Sequence, residues 1–133
     1  MEKTYFVVTG IVKNKDKMLI LKKSDNDYNY PGCWSFCSGF VKEFESAEDT
    51  ILREIKEETG LSATIIKKGK IIEVHDKENN KTWVIATFIC SVNQTIVKLD
   101  HENTDYCWIT KEEIKNYKFV PGIIDDLKAV DLL

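Results

Sequence analysis

The sequence predicts an α/β fold, a mixed sheet with helices on its faces, built as one domain over residues 1–133. Three observations predict it. The elements read from residue patterns run β, β, α, β, β, α, α. The first helix carries both of its end signals, Ser46 before it and Gly60 after it. The strand Thr82 to Val92 is apolar on both alternating faces, as a strand covered on two sides is.

Each element has a local reason. Tyr5 to Val12 is rich in β-branched and aromatic residues, and Lys17 to Lys23 is its hairpin partner across the Asn14–Asp16 turn. Ser24 to Gly32 is polar and aromatic with a Pro-Gly pair, hence a loop, and Trp34 to Phe36 is a short strand leading to Gly39. In the first helix Ala47, Ile51, Ile55 and Thr59 repeat every four residues and Leu52 broadens the stripe. Asp49, three residues after Ser46, makes an imperfect capping box. Ala63 to Val74 is one strand region, joined to the next through DKENNK, and Trp83 within that next strand reads as core. Trp108-Ile109 is a short strand. Thr110 with Glu113 starts a brief helix. Pro121 sits in the first turn of a C-terminal helix through Leu132, with Ile123, Ile124, Leu127 and Val130 as its stripe.

Composition excludes several classes. Nineteen bases stand against 22 acids, net −3, so no basic excess points to long nucleic acid. The longest apolar run, Trp83 to Cys90, is interrupted by a Thr and too short to span a bilayer, and MEKTYFVV lacks the pattern of a secretory signal. Cys33, Cys37, Cys90 and Cys107 show no C-x-x-C spacing, and His75 and His101 lie far apart, which speaks against zinc. Four reduced thiols fit a cytoplasmic protein. A homodimer is the commonest assembly for such chains.

The first helix is the informative feature. From Glu43 to Glu58 seven acids (Glu43, Glu45, Glu48, Asp49, Glu54, Glu57, Glu58) face two bases, Arg53 and Lys56. Glu48 and Asp49 suit the positive end of the helix dipole. Glu57 and Glu58 sit in the last turn, where the dipole disfavours them, and Glu54 and Glu58 are neighbours at i, i+4, a like-charge pairing that costs about 0.2–0.5 kcal/mol. A divalent cation resolves the conflict, because hard ions such as Mg²⁺ take carboxylate and carbonyl oxygens together with substrate phosphates.

Gly39, Glu45 and Arg53-Glu54-Ile55-Lys56-Glu57-Glu58-Thr59-Gly60-Leu61 match the Nudix box, G-x5-E-x7-R-E-U-x-E-E-x-G-U with U aliphatic, at every fixed position. The chain therefore resembles the Nudix hydrolases. That resemblance implies an α/β/α sandwich and Mg²⁺- or Mn²⁺-dependent hydrolysis of a nucleoside diphosphate linked to another group. It implies metal ligation by Glu54, Glu57 and Glu58, completed by a backbone carbonyl near Ser38-Gly39. Arg53 would hold Glu45 with its planar fork. Glu54 and Glu57 are the first choices to take a proton from water, and Glu102 in DHENTD is either a further family acid or a solvated loop residue. Where the family reads Pro-Gly-Gly, this chain has Cys37-Ser38-Gly39.

Lys22 and Lys23 end the second strand, either reaching substrate phosphates or solvated. Tyr28, Tyr30 and Trp34 either stack on a base or pack the loop on the core. Asp76 to Asn79 stand about 15–18 residues past the box where a Pro or Tyr would mark the ADP-ribose or dinucleoside polyphosphate branches. The resemblance thus implies a small nucleotide substrate, a (d)NTP cleaved to a nucleoside monophosphate and pyrophosphate. A non-nucleoside diphosphate, nucleotide sugar or 5′-triphosphate RNA is the enzymatic alternative, and a nucleotide sensor that does not cleave is the non-enzymatic one.

Overall fold

A computed structural model describes all residues, Met1 to Leu133. Its elements are β1 (Lys3–Asn14), β2 (Lys17–Lys23), β3 (Trp34–Ser35), β4 (Cys37–Phe40), α1 (Ala47–Thr59), β5 (Thr64–Lys68), β6 (Ile72–Asp76), β7 (Lys81–Ser91), β8 (Asn103–Ile109), a 3-10 turn (Lys111–Asn116) and α2 (Ile123–Ala129). The sheet is mixed. β1 runs parallel to β7 from Lys3↔Lys81 to Lys13↔Ser91, and antiparallel to β2 and β4 on its other side. β5 and β6 both pair antiparallel with β7, and β8 with β2.

Alternation along the central strands divides the core into two layers. Val8, Val12, Leu19, Leu21, Ala86, Phe88 and Cys90 face α1, where they meet Ile51 and Ile55. Ile11, Met18, Ile20 and Ile89 face the other way and meet Ile123, Leu127 and Val130. Both faces of the sheet's middle are thus covered, which is why β7 is apolar in both registers and why the architecture is the expected α/β sandwich. The local signals for α1 hold. Ser46 Oγ accepts from the Asp49 N–H at 3.0 Å, and Gly60, at φ 75°, donates its N–H to the Lys56 carbonyl.

Four expectations need correction. The strand region Ala63 to Val74 is two strands, because at Gly69 and Lys70 the chain turns its N–H groups to the Thr87 and Ala129 carbonyls. The short strand expected at Trp34 to Phe36 is β3, which pairs with β2, and is followed by β4, which pairs with β1. β8 reaches back from Trp108 to Asn103, pairing with the length of β2. The C-terminal helix is shorter than Pro121 to Leu132: Gly122, at φ 95°, is its N-cap, so Pro121 lies outside it. It ends where Asp131 takes φ 62° and the Leu132 N–H reaches the Leu127 carbonyl. Ile124 points to solvent, 47% exposed. Trp83 is half-buried and stacks on Tyr5 with ring centroids 4.8 Å apart. No helix is long and apolar enough to cross a membrane.

Candidate active site

α1 lies across β1 and β4, so its acidic flank faces the loop that β4 ends in. Arg53 organises that flank. Its Nε and Nη2 grip Glu45 Oε2 and Oε1 at 2.8 and 2.9 Å, a two-point fork that ties the loop before the helix to its middle. Its Nη1 donates to Glu54 Oε1 at 2.6 Å and Glu57 Oε2 at 3.3 Å, and its Nη2 also reaches the Phe40 carbonyl. Thr50 Oγ1 adds a bond to Glu45. The Arg53 and Thr50 hydrogen bonds draw the Glu45 carboxyl down to about 2.

Glu58 is different. It is buried, 9% exposed, and its Oε1 accepts from the Ser38 N–H at 3.2 Å. Burial first, then the Glu54 charge, pushes its carboxyl well above the ordinary range, and the Ser38 bond and the Lys23 charge only partly oppose that. Burial also raises Glu54, against the pull of Arg53. Gly39 lets these groups meet the loop: a Cβ there would overlap the Glu54 carboxylate. Glu57 is more open, with its side chain 55% exposed.

The loop after β7 is tied to the end of α1 and to the end of β2. Its Lys98 N–H bonds the Thr59 carbonyl at the end of α1, and the Glu102 carbonyl accepts from the Ser24 N–H at the end of β2. This brings Glu102 near enough to raise Glu54 and Asp100 near enough to raise Glu58. Asp100 is held by the Asn103 amide at 3.0 Å. Sequence reasoning singled out Glu102 and missed Asp100, although both stand in the same acidic loop.

Not every candidate converges here. Alternation puts Lys23 on the α1 face with Leu19 and Leu21, and Lys22 on the opposite face with Met18 and Ile20. Trp34 is half-buried edge-on against Tyr117, centroids 5.2 Å apart, which is the packing alternative. Tyr28 is 96% exposed, and Tyr30 is exposed in the same loop. As the side chains stand, Arg53 holds Glu54 and Glu57, and no three acids are gathered on one point.

The donor set nevertheless fits a hard divalent cation. It offers carboxylates with no thiolate or imidazole, and Glu58 is a buried carboxylate beside a second one, its charge only partly offset by the Ser38 N–H and by Lys23. Behind β4, on the other face of the sheet, a cavity of about 140 Å³ opens under α2, lined by Thr9, Ser35, Ser38, Ile85 and Asp126 among others. Ser38 belongs to both places: its N–H holds Glu58, and the residue lines the cavity.

A family model described as NUDIX domain matches residues 3–127. The chain is similar to the nucleoside triphosphatase NudI of Escherichia coli O17:K52:H18, 26% identical over 121 residues, 84% of this chain and 85% of that protein. It is similar to the CTP pyrophosphohydrolase of Escherichia coli K12, 26% identical over 129 residues, 92% and 88% of the two chains. It is 43% identical over 85 residues to an ADP-ribose pyrophosphatase of Methanocaldococcus jannaschii, 64% of this chain but about half, 49%, of that one. Among solved structures, the MutT protein of Methanosarcina mazei Go1 shares the fold with TM-score 0.82 at 23% identity, covering 98% of this chain and 95% of its own.

Proposed function

The chain belongs to the NUDIX domain family and is a Nudix hydrolase, and from that premise we propose that residues 1–133 form one catalytic unit that cleaves a (d)NTP-type nucleotide to a nucleoside monophosphate and pyrophosphate, using Mg²⁺ or Mn²⁺ held at α1. The observation that carries the reading is Glu58: a buried carboxylate, beside Glu54, at the end of a helix where its charge is least welcome. Such a group is costly to keep without a cation. The two relatives that align over most of their own length are named for nucleoside triphosphates, whereas the ADP-ribose pyrophosphatase aligns over half of its own. Four free cysteines support a reducing, cytoplasmic setting.

Glu54, Glu57 and Glu58 would hold the metal, with Glu102 and a carbonyl of the Ser38-Gly39 loop completing the shell. A bound divalent ion neutralises the phosphates and makes water more acidic. The chain's own residues do the rest. Glu54 or Glu57 takes a proton from the attacking water, whose oxygen bonds to phosphorus while the bridging P–O bond breaks and its electron pair leaves with the departing phosphate. Arg53 is a positioning residue: it orients both of those carboxylates and locks them to Glu45. Lys23, on the site's face, offsets charge on the phosphates.

Three results test this. In a panel of nucleotides with Mg²⁺, product analysis is expected to show a nucleoside monophosphate and pyrophosphate from (d)NTPs, and Glu57→Gln is expected to slow that turnover by at least about 100-fold. Full turnover by that variant, or nucleotide binding without hydrolysis of any panel member, contradicts the proposal. Arg53→Lys keeps the charge but loses the fork; kcat is expected to fall about 100-fold through misplacement of Glu54, with a lower unfolding temperature by calorimetry.

A further inference from the structure

β5 and β6 follow one another along the outer flank of β7, and no strand of the chain pairs with their far side. The two stretches of that edge are finished differently. β5 carries a register shift between Ile65 and Lys67 and two lysines already tied down, Lys67 to Asp131 and Lys68 to Glu48, each at 2.7 Å. Bulges and lysines keep an open edge from pairing with another chain. β6 has neither. It pairs with β7 without interruption from Ile72↔Ile85 to Asp76↔Lys81 and contains no Lys or Pro. The backbone groups it turns away from β7 meet no partner within the chain. Val74, at its centre, is 43% exposed, and Ile71 just before it is exposed as well. Val74 also begins an apolar row across the sheet: it lies opposite Trp83, Trp83 stacks on Tyr5, and the Phe40 ring stands 6.0 Å from that of Tyr5.

We propose that β6 is the contact surface of a two-fold dimer, in which a second copy of this chain lays its β6 antiparallel to the first about Val74 and joins the two sheets into one. The charges around Val74 point to a copy rather than to another protein. When a strand pairs antiparallel with itself, positions equally far from the centre oppose one another. Glu73 then faces the partner's His75, and His75 faces the partner's Glu73, on one side of the sheet. Inside one chain these two side chains already approach to 3.4 Å. Ile72 is set against the partner's Asp76, and just beyond the strand Lys70 comes to the partner's Glu78. No like charges oppose, and like charges directly opposite are what would forbid the pairing. On the other side of the sheet Val74 meets the partner's Val74, so the apolar row continues across the axis. A strand of five residues buries less than a standard interface, so the dimer is expected to come apart on dilution, with Kd about 1–100 μM.

Sedimentation velocity from about 1 μM to about 1 mM reads the association directly. The native chain is expected to pass from monomer to dimer, with amide exchange in residues 72–76 slowing as concentration rises. His75→Glu sets Glu73 against a second acid, twice over by symmetry, and is expected to weaken association by about 10-fold. Glu73→Lys combined with His75→Lys opposes bases in the same way and is expected to weaken it as much. An equal mixture of the acidic and the basic variant is expected to dimerise as the native chain does, because each acid then faces a base across the axis. No effect confined to one chain restores association in that mixture. Val74→Lys, which puts like charges on the axis itself, is expected to stay monomeric throughout, with circular dichroism and unfolding temperature near native because the site is already exposed. A native chain still monomeric at about 1 mM, protection that rises elsewhere but not in residues 72–76, or folded acidic and basic variants that fail to combine, overturns the proposal.

Discussion

Replacing Glu58 by glutamine is expected to make the metal-free protein more stable and nearly inactive. Gln keeps the shape and can still accept from the Ser38 N–H, but it brings no charge into a site that is 9% exposed and already holds Glu54. Removing a buried, poorly offset carboxylate is worth on the order of 1 kcal/mol, which is a rise of about 2–5 °C in unfolding temperature for a chain of this size. The same change removes a proposed metal ligand and is expected to lower kcat by at least about 100-fold, since even replacing a residue that only hydrogen-bonds to a metal ligand costs about 10- to 100-fold. Calorimetry and steady-state kinetics on one preparation check both. The pH dependence carries the same signature. The Glu58 carboxyl is raised in the folded state, so its favourable contribution is full below the ordinary value of 4.5 and is lost as pH rises through the folded value. Metal-free native protein should therefore lose stability over that rise more steeply than Glu58→Gln. Glu45, drawn down to about 2, acts in the opposite sense: its contribution is present above 4.5 and disappears as pH falls toward 2.

Gly39→Ala is expected to separate fold from function in the other way. Its backbone does not require glycine, because its φ is not among the positive ones. What requires glycine is space, and the atoms in the way are the flexible end of Glu54. The helix and the strand need not move; the carboxylate must. We expect an unfolding temperature within about 2 °C of native and a kcat/KM lower by about 100-fold, the cost of misplacing a reacting group by an ångström. A large loss of stability, or native activity, would show that Glu54 is not held where the account needs it.

Much of this was legible in the sequence because it is local. Ser46 and Gly60 act on backbone groups within four residues of themselves, so the limits of α1 follow from neighbours alone. The acids of the helix advertise themselves by sitting where the dipole and their mutual spacing disfavour them. The Arg53–Glu45 fork, expected from the family resemblance, spans eight residues and is present. What escaped depends on distant partners. The break after Lys68 exists because Gly69 and Lys70 find carbonyls on β7 and at the end of α2. Nothing in the tripeptide Cys37-Ser38-Gly39 shows that it pairs with β1, and hence that the Ser38 N–H meets Glu58. Asp100 differs from Glu102 only in where the loop from Lys98 places it.

If the acids of α1 are there to hold divalent cations, crystals soaked in manganese will show the ions beside them. Anomalous peaks are expected within ligand distance, about 2.0–2.6 Å, of Glu57 and Glu58, with the Glu54 carboxylate turned from Arg53 toward the ion. Maps without peaks at saturating manganese, with Glu54 and Glu57 still on Arg53 or splayed into solvent, would contradict it.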